Sequence, residues 1–212
     1  IDYRRLNSET KIDAYPLPKI EDLLNQLDGA KYFAKLDLAA GYWQVRMQDE
    51  DKEKTAFCVP NGLYQWKYMP FGLVNAPPTF QRLMGKVLKT VLGKIALVYI
   101  DDVLVYAKSI DELIANLRKV LQLLQEAGLK LKPKKCELFK VKIDFLGHEV
   151  SERGLRPLSS KIDAIKDWPD PMNEKELITF VSLCSYYRKF VKGVAKIAYP
   201  LTRLTKQKEK FR

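Results

Sequence analysis

Two adjacent carboxylates set inside apolar sequence constrain this chain more than any other feature. Asp101 and Asp102 separate one apolar run, Ile95 to Tyr99, from a second, Val103 to Tyr106. Ionised carboxylates are costly to remove from water unless they are paired or bound to a metal. The chain must therefore expose them at a hairpin tip or supply a cation. Adjacent side chains on a regular strand point to opposite faces, whereas a tight turn can aim both toward one space. Asp37 repeats the theme, ending another apolar stretch, Tyr32-Phe33-Ala34-Lys35-Leu36. Three such acids on neighbouring strands would make a hard-oxygen site suited to Mg²⁺ or Mn²⁺. Two such ions about 3.5–4 Å apart can activate an attacking oxygen and stabilise a leaving one. A solvated hairpin tip is the simpler reading, and spacing alone does not separate the two.

Charge bears on the kind of partner. Lys and Arg number 37 against 26 Asp and Glu, giving +11 over 212 residues. Nine basic residues fall within 186–212 (Arg188, Lys189, Lys192, Lys196, Arg203, Lys206, Lys208, Lys210 and Arg212) against one acid, Glu209. A basic chain with a basic end suits a polyanion, most often nucleic acid, although a solvated surface or a linker has the same composition. A hydrophobic content of 47% supports a packed core and excludes wholesale disorder. Cys58, Cys136 and Cys184 are scattered and His148 stands alone, which excludes a zinc finger and argues against a disulfide framework. The longest apolar run, Ile95 to Ile100, falls far short of the ~20 residues of a membrane helix. No secretory signal opens the chain. The expectation is a soluble, intracellular protein that does not engage a membrane. Ile1-Asp2-Tyr3 reads as the middle of a strand, so the chain reads as a piece of a longer polypeptide.

The pattern predicts a mixed α+β unit followed by a small helical one. A short helix carries Ile20, Leu23, Leu24 and Leu27 on one face, up to Asp28-Gly29. Lys31 to Asp37 reads as a strand, and Thr55–Val59 and Leu63–Met69 flank a Pro60-Asn61-Gly62 hairpin signal. Asn75 is placed to cap a helix with Pro77 and Pro78 in its first turn, running to about Leu92 before Gly93. Asp111 is placed to cap a helix bearing Leu113, Leu117, Val120, Leu121 and Leu124 until Gly128. Strands follow around Leu129–Leu131 and Val141–Val150, with a break near Ser151–Pro157. Helices are expected at 159–167 and about 173–190.

At this point the motifs are specific enough to carry a resemblance. Tyr99-Ile100-Asp101-Asp102 resembles the Tyr-x-Asp-Asp box of reverse transcriptases. Leu36-Asp37-Leu38-Ala39-Ala40-Gly41-Tyr42 is similar to the first catalytic motif of that family. Met69-Pro70-Phe71-Gly72-Leu73-Val74-Asn75-Ala76-Pro77, with Thr79-Phe80-Gln81, resembles its template- and nucleotide-side motif. Phe145-Leu146-Gly147-His148 resembles the primer grip. Trp168-Pro169, Lys175-Glu176-Leu177 and Tyr186-Tyr187-Arg188 are similar to the thumb of gypsy-type LTR retrotransposon enzymes. These motifs occur in family order along essentially the whole chain.

The resemblance implies a right-hand polymerase with an antiparallel-sheet palm backed by helices and a small helical thumb. Residues 1–12 and 45–75 would be N-terminally incomplete fingers, 13–44 and 76–153 the palm, and 154–212 the thumb and start of the connection. It implies RNA-directed DNA synthesis, with Asp37, Asp101, Asp102 and the carbonyl of Leu38 binding two Mg²⁺, or Mn²⁺. Ala40 and Gly41 would meet the triphosphate, Tyr42 would exclude the ribose 2′-OH, and Phe71 and Gly72 would border the nascent base pair. Leu146, Gly147 and His148 would grip the primer, and Ser182, Tyr186, Lys189 and Lys192 would contact the duplex. The implied partners are a primed RNA or DNA template, dNTPs and the rest of a polyprotein, including the missing fingers and an RNase H domain beyond Arg212, within cytoplasmic retroelement particles. Val181-Ser182 departs from the family's usual Leu-Gly, and the family's basic triphosphate contacts precede Ile1. A second reading is a catalytically inactive nucleic-acid-binding remnant or scaffold subunit, and a metal-dependent nuclease is a third.

Overall fold

The structure, a computed structural model, describes residues 1–205. Lys206, Lys208, Lys210 and Arg212 of the basic run lie outside the described residues. In chain order the elements begin with α1 (Arg4–Glu9), α2 (Ile20–Asn25) and β1 (Tyr32–Asp37). A 3-10 turn at Gly41–Gln44, α3 (Asp49–Lys52), β2 (Phe57–Val59), β3 (Gly62–Tyr64) and α4 (Ala76–Val87) follow. Next come β4 (Ala96–Tyr99), β5 (Asp102–Ala107), α5 (Ile110–Glu126) and β6 (Glu137–Lys140). The chain continues through β7 (Lys142–Phe145), β8 (His148–Ser151), β9 (Gly154–Pro157), α6 (Ser159–Lys166), α7 (Glu174–Tyr186) and α8 (Val194–Leu204). By contact density it divides into two compact units, residues 1–143 with 151–153, and residues 144–150 with those from 154 onward.

The first unit is built on a four-stranded sheet of order β4-β5-β1-β6. The β1, β4 and β5 strands pair antiparallel, with Leu36 opposite Val103, Ala34 opposite Val105 and Val98 opposite Val103. These residues form one core with Phe80 and Met84 of α4 and Leu113, Leu117, Val120 and Leu124 of α5. Burying each large apolar side chain contributes about 1.5–3 kcal/mol, so the i, i+4, i+7 spacing on α5 suffices to seat that helix. Side chains alternate across a strand. Asp37 and its partner Asp102 therefore point away from the face that α4 and α5 cover.

Several local expectations change. Residues 1–3 are not strand: Tyr3 precedes α1, and its hydroxyl donates to the Thr55 carbonyl at 3.1 Å. Asn75 stands at the start of α4, but its side chain does not cap it. Its Oδ1 accepts the Asp13 N–H at 3.0 Å and its Nδ2 donates to the Lys11 carbonyl at 2.9 Å, tying down the preceding loop. The α4 helix stops at Val87, because Leu88 and Val91 remain buried in a turn that reverses the chain into β4. Ser109, not Asp111, caps α5, its Oγ accepting the Glu112 N–H at 3.2 Å. Leu129–Leu131 contributes one bridge, Leu38 to Leu131, while the exposed β6 takes the sheet edge. The Leu63–Met69 strand is cut to Gly62–Tyr64, and Val141–Val150 splits into β7 and β8.

In the second unit β7, β8 and β9 form a three-stranded sheet in that order. Leu177 of α7 and Tyr187, which follows that helix, are buried in this unit. The helix expected at about 173–190 ends at Tyr186 and gives way to a 3-10 turn, Arg188–Phe190. Asn173 caps α7, its Oδ1 accepting the Glu176 N–H at 2.9 Å. Among the described residues no helix is long and apolar enough to cross a membrane.

Candidate active site

Antiparallel register makes the three acids neighbours. Asp37, last in β1, lies directly opposite Asp102, first in β5. Asp102 also pairs with Tyr99, which leaves Ile100 and Asp101 as the two central residues of the β4–β5 turn. Ile100 adopts φ +57°, a conformation that β-branched residues rarely take. Gln81, buried on α4, holds that turn. Its Oε1 accepts the Ile100 N–H at 2.6 Å and its Nε2 donates to the Val98 carbonyl at 3.3 Å. Strain at a turn persists only where its surroundings over-determine it, and one core side chain supplies the restraint here.

The electrostatics follow from this crowding. Asp101 is open to solvent at the turn tip, but one flank packs on Gly41, where an added Cβ would lie 3.6 Å from that of Asp101. Burial raises the Asp101 carboxyl above the usual range, and the charges of Asp102 and Asp37 push the same way. Lys35 opposes them, its Nζ standing 3.1 Å from Asp102 Oδ1. Burial also raises the Tyr42 hydroxyl, with a contribution from the Asp101 charge.

The segment after Asp37 is clipped to residues 130–136. Ala39 N–H donates to the Lys130 carbonyl at 2.8 Å, and Lys132 N–H to the Asp37 carbonyl at 2.9 Å. Gln44 Nε2 donates to the Ala39 and Lys130 carbonyls at 2.7 and 2.9 Å, while its Oε1 accepts the Lys130 N–H at 2.6 Å. The Asp37 N–H reaches Cys136 Sγ at 3.5 Å. Leu38 is buried, its carbonyl accepting a long, 3.5 Å hydrogen bond from Gly41. Ala40 turns the chain at φ +54°. Tyr42 then packs at 5.1 Å on Phe71 and at 5.7 Å, edge-on, on Phe80. Phe71 is exposed. Gly72 takes φ +94°, and its carbonyl accepts from Asn7 Nδ2 at 2.8 Å. Asp37, Leu38, Ala40, Gly41, Tyr42, Phe71, Gly72, Asp101 and Asp102 thus belong to one unit.

The remaining expected site residues belong to the second unit. Leu146 and Gly147 form the β7–β8 turn with φ of +47° and +76°. The Leu146 carbonyl accepts from Tyr186 Oη at 2.7 Å and from His148 Nδ1 at 2.9 Å, and the Gly147 carbonyl accepts from Tyr187 Oη at 3.2 Å. A carbonyl only accepts, so His148 carries a proton on Nδ1. Its ring is buried, 5.4–5.6 Å from the rings of Tyr186, Tyr187 and Phe190, and burial lowers its pKa. Gly147 is hemmed in: a Cβ there would sit 3.3 Å from Tyr187 Oη. Ser182 is exposed on α7, one turn before Tyr186. Lys189 lies instead in the 3-10 turn, Nζ 5.1 Å from the Phe190 ring centre, and Lys192 follows in a loop. The two lysines therefore do not share a helix with Ser182 and Tyr186.

Sequence spacing does not single out Gln81, Gln44, Lys35 or Tyr187 for these tasks. For Lys35 the signal was a charge within an apolar strand, and for Gln81 a polar residue on the buried stripe of α4. As for a metal, among the described residues no group of three or more His, Cys, Asp or Glu side chains is arranged to hold an ion by itself. The donor chemistry fits all the same: hard oxygens crowd together and the ammonium of Lys35 already stands in as a cation. Mg²⁺ is commonly held by one or two carboxylates plus substrate phosphates, which requires no group of three.

Residues 1–150 match the reverse transcriptase (RNA-dependent DNA polymerase) family. The chain is 42% identical over 211 residues to the retrovirus-related Pol polyprotein from transposon 297 of Drosophila melanogaster, covering 100% of this chain and 20% of that protein. The Pol polyprotein from transposon gypsy of the same fly is 39% identical over 206 residues, 97% of this chain and 20% of its own. Among solved structures, the foamy viral protease-reverse transcriptase in complex with RNA/DNA hybrid superposes with a TM-score of 0.84 at 28% identity, over 99% of this chain and 28% of that one. Its dRH form in complex with double-stranded DNA gives 0.88 at 28% identity, over 96% and 36%. The chain spans about a fifth of the length of the two curated relatives.

Proposed function

The chain belongs to the reverse transcriptase family, among the enzymes of gypsy-type LTR retrotransposons, and from that premise we propose that it extends a primer 3′-OH with dNTPs on an RNA or DNA template. The observation that carries this reading is the register that sets Asp37 against Asp102 with Asp101 in the adjoining turn. Asp37, Asp101, Asp102 and the Leu38 carbonyl would hold two Mg²⁺, or Mn²⁺, which when bound lower the pKa of the 3′-OH and neutralise triphosphate charge.

The chain's own residues supply alignment, which dominates phosphoryl and nucleotidyl transfer. Tyr42, wedged by Phe71 and Phe80, excludes the ribose 2′ oxygen by clash. Backbone N–H groups at Ala40 and Gly41 orient the triphosphate beside Asp101, and Phe71 and Gly72 border the nascent pair. The Leu146-Gly147-His148 turn grips the primer, braced by Tyr186 and Tyr187. Ser182 and Tyr186 approach the minor groove, and Lys189 and Lys192 meet phosphates. Residues 1–12 and 45–75 act as fingers, 13–44 and 76–153 as palm, and those from 154 as thumb. In the cell the module works within a longer Pol polyprotein that includes RNase H, inside retroelement particles.

The test is Mg²⁺-dependent primer extension on an RNA template. Asp101→Asn, whose amide is a poor Mg²⁺ ligand, abolishes extension and leaves duplex binding nearly unchanged. Extension at the parental rate overturns the assignment. A parental chain that binds duplex but extends nothing, even when joined to the N-terminal fingers of a relative, is an inactive binding module instead.

A further inference from the structure

We infer that Lys35 is the resident counter-cation of the acidic cluster, holding Asp102 and thereby weakening the uptake of divalent metal by the free protein. The inference rests on the metal-dependent reading above. Lys35 and Asp37 are two apart on β1 and so share a face, and Asp102 lies opposite Asp37. Lys35 is therefore on the diagonal to Asp102, a reach that a long side chain spans. Its direct partner across the ladder is Leu104, which is 0% exposed. The aliphatic stem can run along that apolar neighbour while the ammonium reaches past it.

The direction of that reach is informative. On its other side Lys35 pairs with Glu137 of β6, which is exposed. The Nζ nevertheless stands 3.1 Å from Asp102 Oδ1, with the two side chains 23% and 34% exposed. An ammonium whose stem lies over buried Leu104 gains from a partner, and it takes the one inside the crowded trio rather than the solvated one. With Asp102 engaged by the ammonium, Asp37 and Asp101 are the carboxylates left for an incoming cation. A bare metal ion must then displace or tolerate the ammonium. An ion arriving with a triphosphate brings oxygen ligands of its own and competes better. Lys35 is thus a positioning residue that couples metal uptake to nucleotide.

The experiment is Mn²⁺ binding to the full chain without nucleotide, followed by electron paramagnetic resonance, for the parent, Lys35→Met, Lys35→Arg and Asp101→Asn. Removing the opposing charge tightens Mn²⁺ binding about fivefold in Lys35→Met, the upper end for a partly exposed pair of single charges. Lys35→Arg stays near the parent. In metal-free buffer Lys35→Met melts lower and recovers more than the parent on adding Mn²⁺. A merely structural role predicts loss of binding, and a damaged fold does not produce a gain. Equal or weaker binding in Lys35→Met overturns the inference, and Lys35→Gln decides the matter in the same way if the Met variant does not fold. If Asp101→Asn still abolishes binding while Lys35→Met changes nothing, only the role of Lys35 fails. If Asp101→Asn binds as the parent does, the metal reading itself fails.

Discussion

Replacing Gln81 with Met separates the restraint on the β4–β5 turn from the chemistry of the acids. Gln81 is 6% exposed and its side chain makes two hydrogen bonds, with the Ile100 N–H at 2.6 Å and the Val98 carbonyl at 3.3 Å. Met preserves volume and an unbranched stem, so little cavity cost enters. Two lost bonds cost about 1 kcal/mol each, and a part-buried Ile100 N–H left without an acceptor adds about 1 kcal/mol or more. The total is roughly 3 kcal/mol. At ~2–4 °C per kcal/mol for a chain of this size, Tm falls by about 6–12 °C. The turn holds Ile100 at φ +57°, and release of that strain moves Asp101. A displacement near 1 Å of a catalytic group costs on the order of 100-fold in rate. Scanning fluorimetry gives Tm, and single-turnover primer extension gives the rate, with filter binding expected to show unchanged duplex affinity. A Tm within about 1 °C of the parent, together with a parental extension rate, refutes the claim that Gln81 holds the turn.

Tyr42→Ala raises ribonucleotide incorporation relative to deoxyribonucleotide, read as the rNTP:dNTP ratio of kcat/KM; an unchanged ratio reduces Tyr42 to packing against Phe71 and Phe80. His148 has a folded pKa below its unfolded value because burial disfavours the imidazolium. Its contribution to stability is therefore present above about pH 6.5 and is lost as pH falls through the lowered folded value. Thermal melts at pH 7.5 and 5.5 show a larger acid loss in the parent than in His148→Gln, and equal losses exclude His148 as the source. Lys189→Ala with Lys192→Ala weakens duplex binding about equally for all sequences and flattens the log–log salt slope by roughly 0.9 per lost contact. A salt slope that does not move removes both lysines from the nucleic-acid surface.

Strong periodicity was legible wherever one residue set had one job. The apolar stripe of α5 from Leu113 to Leu124, the β4 run and the strand ending at Asp37 all appear where their spacing places them. Capping was legible by type and not by partner. Asn75 has the right chemistry for a cap but spends it on Asp13 and Lys11, whereas Ser109 takes the cap expected of Asp111. Side-chain oxygens serve whichever donor the packed chain brings near. The β6 strand, exposed at every residue, had no alternation to reveal it and exists because β1 presents an edge.

For the site, the sequence alone singled out which acids are candidates, that they end apolar strands, and which family the ordered motifs resemble, since these depend on composition and local spacing. Tertiary structure decided who faces whom. A one-residue slip of β1 against β5 would send Asp37 to the face packed by α4 and α5, and no local signal forbids that slip. The full set of cross-strand pairs does. Leu36 with Val103 and Ala34 with Val105 are buried only in the observed register, and burial of those four side chains sets Asp37 against Asp102. The choice of Lys35 between Glu137 and Asp102, and the grip of Gln81 on Ile100, follow from the same register. Both join residues whose distance along the chain says nothing of their distance in space.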